Sequence, residues 1–222
     1  MDRIDFIASL TKGLKSVVDC GIDHGYTLIS ALRDYGVSYG IGIDVNKDPL
    51  EAARLNIEKA GLTDRTQLFL SDGLQEFEEN VKEQPEGLII TGMGGSLITE
   101  ILSYDLDLSK SFKRLILSAH NDTPKLRYFL INFGFKIIDE YLIEENGHIY
   151  EIIVANSEKI DRKYDYYDMV FGPILRVNKG DLFVKKYSLT LEQTKLALQN
   201  AKDPVQISKL KMTKAMIEEV LK

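Results

Sequence analysis

Cysteine occurs once in these 222 residues, at Cys20, so the chain can form no internal disulfide and no multi-cysteine zinc site. A lone thiol suits a reducing compartment, and a cytoplasmic protein is expected. No run of eighteen apolar residues is present, which argues against a membrane-spanning helix and for a protein with no membrane partner. The first residues lack the basic-then-apolar pattern of a secretory signal. Internal repeats and low-complexity stretches are missing too. What remains is 44% hydrophobic and 28% charged, enough for a full core plus an appendage. The net charge of −6 argues against a polyanionic partner, but the charge is unevenly spread. From Arg176 to Lys222 ten Lys and Arg stand against five Asp and Glu, which leaves −11 on the remaining residues. Such asymmetry describes either a basic module on an acidic one or a lysine-rich solvated helix.

The pattern from the N-terminus to about residue 155 alternates strands and helices. Short apolar strands are expected at 16–19, 39–44, 67–70, 88–90 and 114–117. Between them, helical spacing runs from Thr27 towards Gly36, from Asp48-Pro49 to Gly61, over 97–102, and from Pro124 to Phe133. Two strands around Asn146-Gly147, at 135–143 and 148–155, read as a hairpin. The fold class is therefore α/β: a doubly wound parallel sheet closed by a terminal antiparallel hairpin, with one reversed strand. Phe171-Gly172-Pro173 reads as a hinge. Beyond it, a long helix with leucines at 182, 189 and 196 and a second with Ile207, Leu210, Ile217 and Leu221 form an antiparallel, coiled-coil-like helical hairpin. The expected division is 1–160 and 161–222, and the expected state is a monomer or a weak dimer.

In such a sheet, ligands bind at the carboxyl ends of the strands, where the strand order reverses. Those ends offer Asp19-Cys20-Gly21-Ile22-Asp23-His24-Gly25, then Asp44-Val45, Asp72-Gly73, Gly92-Met93-Gly94-Gly95, and His120-Asn121. A carboxylate at Asp44 can accept both hydroxyls of a ribose, which fits NAD and S-adenosyl-L-methionine equally. The first loop decides between them. A dinucleotide site uses G-x-G-x-x-G so that backbone N–H groups face a pyrophosphate. Here Asp23 occupies the second glycine position. A carboxylate repels a pyrophosphate and attracts a sulfonium or an amino group, so S-adenosyl-L-methionine is the expected cofactor. No metal site is expected.

The segments DCGIDHGY, IGIDVN, SDGL and TGMGG, in that order and spacing, resemble the bacterial tRNA (adenine(22)-N1)-methyltransferases. LILSAHNDTPKLR, GHIYEIIVA, FGPIL and the helical hairpin extend the resemblance over almost the whole chain. It implies a Rossmann-like class I methyltransferase domain and a C-terminal domain that helps hold tRNA. It also implies that Asp19, Gly21 and Asp23 belong to the cofactor loop, with Tyr26 beside it. Asp44 with Val45 would serve the ribose, Asp72 with Gly73 the adenine side, and Gly92, Met93 and Gly94 the loop between cofactor and target base. Where family members often carry Pro-Asn after the fifth strand, this chain reads Ser118-Ala119-His120-Asn121. Asp23, His24, Met93 and Asn121 are the candidate catalytic residues. Asp23 can hold the cofactor's amino group, steady the target's N6 amino group, or cap the helix that follows. Met93 can pack on the base or in the core, and Tyr26 on a base or against the sheet. Lys185, Lys186, Lys195, Lys209 and Lys211 are candidate tRNA phosphate contacts, with Lys202 and Lys214 beside them.

Overall fold

The computed structural model describes residues 1–81, 83–160 and 162–222, apart from the side chain of Glu78. Seven strands make one sheet: β1 (Ser16–Cys20), β2 (Tyr39–Asp44), β3 (Thr66–Leu70), β4 (Gly87–Met93), β5 (Arg114–Ala119), β6 (Lys136–Glu145) and β7 (His148–Asn156). The helices that precede β5 are α1 (Arg3–Ser9), α2 (Tyr26–Asp34), α3 (Lys47–Lys59), α4 (Phe77–Asn80), α5 (Gly95–Tyr104) and α6 (Leu106–Ser111). After β5 come α7 (Thr123–Asn132), α8 (Tyr166–Phe171), α9 (Leu175–Asn178), α10 (Asp181–Asn200) and α11 (Pro204–Val220).

The strand order is β3-β2-β1-β4-β5-β7-β6. β1 to β5 run parallel, and β7 is antiparallel to both β5 and β6. Successive apolar residues along each strand serve opposite faces, because the side-chain period of a strand is two. Val17, Ile89, Ile116 and Ile152 join one buried cluster with α1 to α3. Val18, Ile90, Leu117 and Ile153 join the other, on the α5 to α7 side. The order reverses between β1 and β4, which puts the switch point beside the loop after β1.

The C-terminal helices differ from the sequence expectation in their seam. The buried face of α10 is Phe183, Tyr187 and Thr194, while Leu189 and Leu196 are exposed at 54% and 58%. The two aromatic rings win because they fill space against Phe171, Met216 and Ile217, which the leucine stripe does not reach. Asp203 caps α11 by accepting from the Gln206 N–H, and Pro204 opens that helix where no backbone donor is needed.

Phe171-Gly172-Pro173 is a packed joint and not a hinge. Phe171 is buried, and a Cβ on Gly172 would lie 2.7 Å from Glu140 Oε2 and 2.9 Å from Arg127 Nη2. Arg127 is fully buried and pairs with Glu140 (2.7 Å) and Glu151, and Lys186 of α10 also bonds Glu151. The Ile174 N–H donates to Glu140 at 2.8 Å, so the joint's own backbone belongs to this network. The expected boundary at 160/161 falls on Asp161, outside the described residues.

Candidate active site

A cavity of about 470 Å³ opens at the switch point. It is lined from the loop after β1 by Asp19, Gly21, Ile22, Asp23 and His24, and from the start of α2 by Tyr26 and Thr27. The end of β2 and the residues after it supply Asp44, Val45 and Asn46, and the first turn of α3 supplies Pro49; β4 supplies Thr91, Gly92 and Met93, and the loop after β5 supplies His120. The remaining wall is α1, through Arg3, Ile4 and Ile7.

The loop after β1 is held by backbone and by packing. The N–H groups of Gly21 and Ile22 both donate to the Ile43 carbonyl, at 2.8 and 3.0 Å. Gly21 has φ +80, the left-handed region that favours glycine, and a Cβ there would sit 2.2 Å from Met93 Cε. Ile22 reaches across to β2, where a Cβ on Gly42 would meet it at 2.1 Å. Asp23 also lies in the left-handed region, at φ +49, which Asp and Asn tolerate best among side-chain-bearing residues. Its backbone N–H approaches Asp44 Oδ2 at 3.5 Å. Asp23 does not cap α2: the capping position is Gly25, with no side-chain bond. The Asp23 carboxylate is instead 73% exposed and 3.8 Å from His24 Nε2. His24 is fixed through its carbonyl, which accepts from Asn56 Nδ2 at 2.9 Å, and its ring stacks on Tyr26 at 5.7 Å. Tyr26 is 52% exposed, so it is not buried against the sheet.

Asp19 lies deeper. It is buried, and burial, followed by the nearby charges of Asp44 and Asp23, pushes its pKa up to about 8. Asp44 accepts from the Asn46 N–H at 2.9 Å through one oxygen. Three carboxyl groups in one cavity wall, against the single guanidinium of Arg3, suit a ligand that carries positive charge and hydroxyl donors. The donor set therefore fits a sulfonium nucleoside with an amino-acid tail.

A test follows from Asp19. Between its ordinary 3.8 and about 8, the folded protein keeps a proton that the unfolded chain has released. Its contribution to stability thus falls as pH rises through that window, by about 1.4 kcal/mol per unit, and is constant above it. Urea melts of the ligand-free protein should lose more stability between pH 5 and 8 than those of Asp19→Asn. Equal slopes would show that Asp19 titrates as an ordinary surface acid.

Not every expected residue meets the cavity. Asp72 and Gly73 stand outside the lining, although the Ser71 N–H bonds the Asp44 carbonyl at 3.0 Å and keeps them adjacent. Asp72 is exposed and accepts from Gln75 Nε2 at 3.1 Å. Gly94 and Asn121 also lie outside the lining and face each other: a Cβ on Gly94 would meet Asn121 Oδ1 at 2.8 Å. A Cβ on Gly95 would likewise lie 2.5 Å from the Asp122 carbonyl oxygen, so the absence of side chains at these two glycines admits the loop after β5. His120, whose N–H bonds the Met93 carbonyl at 2.9 Å, takes the place in the wall expected for Asn121. Met93 serves both its alternatives, lining the cavity and packing on the core. The sequence reading missed α1 altogether, because seven residues carry too short a periodic signal.

The tail lysines divide in the same way. Lys186 is committed to buried Glu151, and Lys185 and Lys195 pair with Glu144 (2.6 Å) and Glu192 (2.8 Å). Lys209 and Lys211 are exposed and make no ion pair among the described residues. Among those residues there is also no cluster of three or more His, Cys, Asp or Glu able to hold a metal ion, and no helix long and apolar enough to cross a membrane.

The sequence profile described as tRNA (adenine(22)-N(1))-methyltransferase matches residues 17–222. The chain belongs to that family. A relative of that name from Bacillus subtilis is 30% identical over 196 residues, covering 86% of this chain and 81% of its own. The crystal structure of the B. subtilis m1A22 tRNA methyltransferase superposes with a TM-score of 0.86 at 27% identity, covering 100% of this chain and 98% of its own. The Streptococcus pneumoniae Sp1610 structure in complex with S-adenosyl-L-methionine superposes with a TM-score of 0.89 at 32% identity, covering 99% and 98%. The match spans the site loops and the helical hairpin alike, so the resemblance seen in the motifs holds for the whole family architecture.

Proposed function

We propose that this chain methylates N1 of adenine 22 in tRNA with S-adenosyl-L-methionine as methyl donor. The observation that carries the reading is the carboxylate-lined cavity at the switch point, within a chain whose family has this activity. When bound, the cofactor supplies an electrophilic methyl group on a sulfonium. Asp44 would hold the ribose hydroxyls and Asp19 the amino group of the methionine moiety. Adenine N1 already carries a lone pair and no proton, so the protein needs no general base to create the nucleophile. Its task is alignment and exclusion of water, which is positioning catalysis. Met93, Tyr26 and His24 form the apolar and aromatic rim against which a base can pack. Methylation at N1 leaves the ring positively charged. Asp23 at the same rim is placed to stabilise that charge and to accept from N6. The target lies within folded tRNA and must be exposed or flipped to reach this depth.

Residues 1–160 serve the cofactor and the base, and 161–222 grip the tRNA in the cytoplasm, as a monomer or a weak dimer. Lys209 and Lys211, with Lys202 beside them, are the better phosphate contacts, since Lys186 is spent on Glu151 and Lys214 pairs with Glu218 at 3.2 Å. N1-methyladenine blocks Watson–Crick pairing, so reverse transcription of treated tRNA should stop at the target adenine. It should read through a transcript that carries guanine in place of that adenine. A stop elsewhere, or none, refutes the assignment. Reversing Lys209 and Lys211 to glutamate should weaken tRNA binding about tenfold or more and flatten its salt dependence, with cofactor affinity unchanged. Unaltered tRNA affinity would remove the hairpin from substrate binding.

A further inference from the structure

Alternate residues of β6 serve different neighbours, as the period of a strand requires. Tyr141 and Ile143 pack in the cluster that contains α1, and Glu145 accepts from Arg3 Nε of α1 at 3.2 Å. Leu142 packs against the C-terminal helices, and Glu144 pairs with Lys185 of α10 at 2.6 Å. The β6–β7 hairpin therefore has the wall of the cavity on one face and the helical hairpin on the other. β7 is antiparallel to both β5 and β6, so the turn at Asn146-Gly147 lies at the ligand-bearing edge of the sheet. A tRNA held by the cavity and by the helical hairpin passes this tip.

Three rings line its α1 side, and only the first belongs to the cavity. His148 stands opposite Glu145 and Tyr150 opposite Ile143, which puts both rings on that face. His120, in the cavity wall, meets Tyr150 at a tilt of 61°, with centroids 6.1 Å apart. Tyr150 meets His148 in the same way, at 62° and 6.5 Å. We propose that this line is a stacking track for RNA, on which a base flanking the target adenine rests. The inference rests on the methylation reading above.

Tilted contacts steady the rings without the overlap that would hide their flat faces. The Arg3 guanidinium, 4.4 Å from the Tyr150 centroid, covers one face of that ring and fixes the middle of the line. His120 and His148 are exposed, so both ends are open to a base. An adenine drawn out of its stack leaves its neighbours without a partner, and proteins that bind unstacked RNA supply aromatic faces in its place. An exposed imidazole can also meet a phosphate. Here Arg3 and Lys185, the cations that flank the tip, are each paired with a glutamate, which leaves a flat ring surface and not a basic patch.

The test is steady-state methylation of tRNA by the full chain, with calorimetric cofactor affinity measured on the same preparations. His148→Ala should raise KM for tRNA roughly tenfold, the size of one lost stacked base, with kcat and cofactor affinity unchanged. His148→Phe, which keeps a flat face, should stay within about threefold of the unaltered protein. His148→Lys, which keeps only a phosphate partner, should behave as His148→Ala does. Bases are then removed one at a time from the two nucleotides on each side of the target. At one of these positions the unaltered protein should lose what His148→Ala loses, and there the variant should lose nothing further. The proposal is overturned if His148→Ala leaves KM unchanged, or if its loss adds to that of the missing base at every position. Retention by His148→Lys together with loss by His148→Phe would give the ring to a phosphate and overturn it too. An unaltered protein that fails to methylate intact tRNA would refute the methylation reading itself, a separate outcome.

Discussion

Asp23→Asn is expected to lower kcat for methyl transfer by about 10²- to 10³-fold, with little change in cofactor affinity. The substitution is chosen because asparagine accepts the left-handed backbone at φ +49 as readily as aspartate does. The loop therefore stays in place, and the bond from the Asp23 N–H to Asp44 is a backbone bond that the variant retains. Only the charge is removed. During transfer one positive charge moves from sulfur to the adenine ring, and a carboxylate at the rim lowers the energy of the later state more than the earlier one. Asp19 and Asp44 lie buried on the cofactor side, while Asp23 is 73% exposed at the mouth, where the base arrives. Single-turnover rates and calorimetric affinities measured on the same preparation decide the matter. If cofactor affinity drops and the single-turnover rate is kept, Asp23 holds the cofactor's ammonium and not the base.

Arg127→Met is expected to destabilise the fold by about 3–5 kcal/mol, which for a chain of this size lowers Tm by roughly 10 °C. Arg127 is fully buried, and it lies between two buried carboxylates, Glu140 and Glu151. Burial raises the Glu140 pKa even against the opposing pull of Arg127 and the Ile174 N–H. Burial also pushes Glu151 upward, but Arg127 and Lys186 outweigh it and hold its pKa below the ordinary value. Removing the guanidinium leaves Glu140 without its cation and Glu151 with Lys186 alone. Adding Glu140→Gln and Glu151→Gln should return most of the loss, because the penalty lies in the orphaned charges and not in the missing volume. A thermal melt of the single and triple variants separates the two. If the triple variant is no more stable than the single one, packing around Arg127 sets the cost and the charges do not. The same network carries Lys186 of α10, and the Ser118 hydroxyl at the end of β5 donates to the Glu151 carbonyl at 2.9 Å. The helical hairpin is thus tied to β7, the neighbour of β5 in the sheet.

The sequence by itself determined the elements, the order of the parallel strands' ligand-bearing ends, and the kind of ligand. Those properties are local. The alternation of Val17 and Val18 or Ile89 and Ile90 shows a strand buried on both faces, Pro49 and Pro204 mark helix starts, and an acid in a glycine loop excludes a pyrophosphate. Within DCGIDHGY, even the glycine at 21 was legible as a tight turn, and Asp23 as the residue that decides the cofactor. Tertiary structure alone decided what each of those letters touches. Arg3 joins the cavity because Glu145, 142 positions away, clamps it there, and no periodicity carries such a pairing. His120 lines the wall and Asn121 does not, because Gly94 and Gly95 admit the loop after β5 in one register only. The leucine heptad of α10 lost to Phe183 and Tyr187 because the larger rings reach the buried joint at Phe171. Lys186, one cation among many in the sequence, became structural because folding placed it against a carboxylate already removed from water.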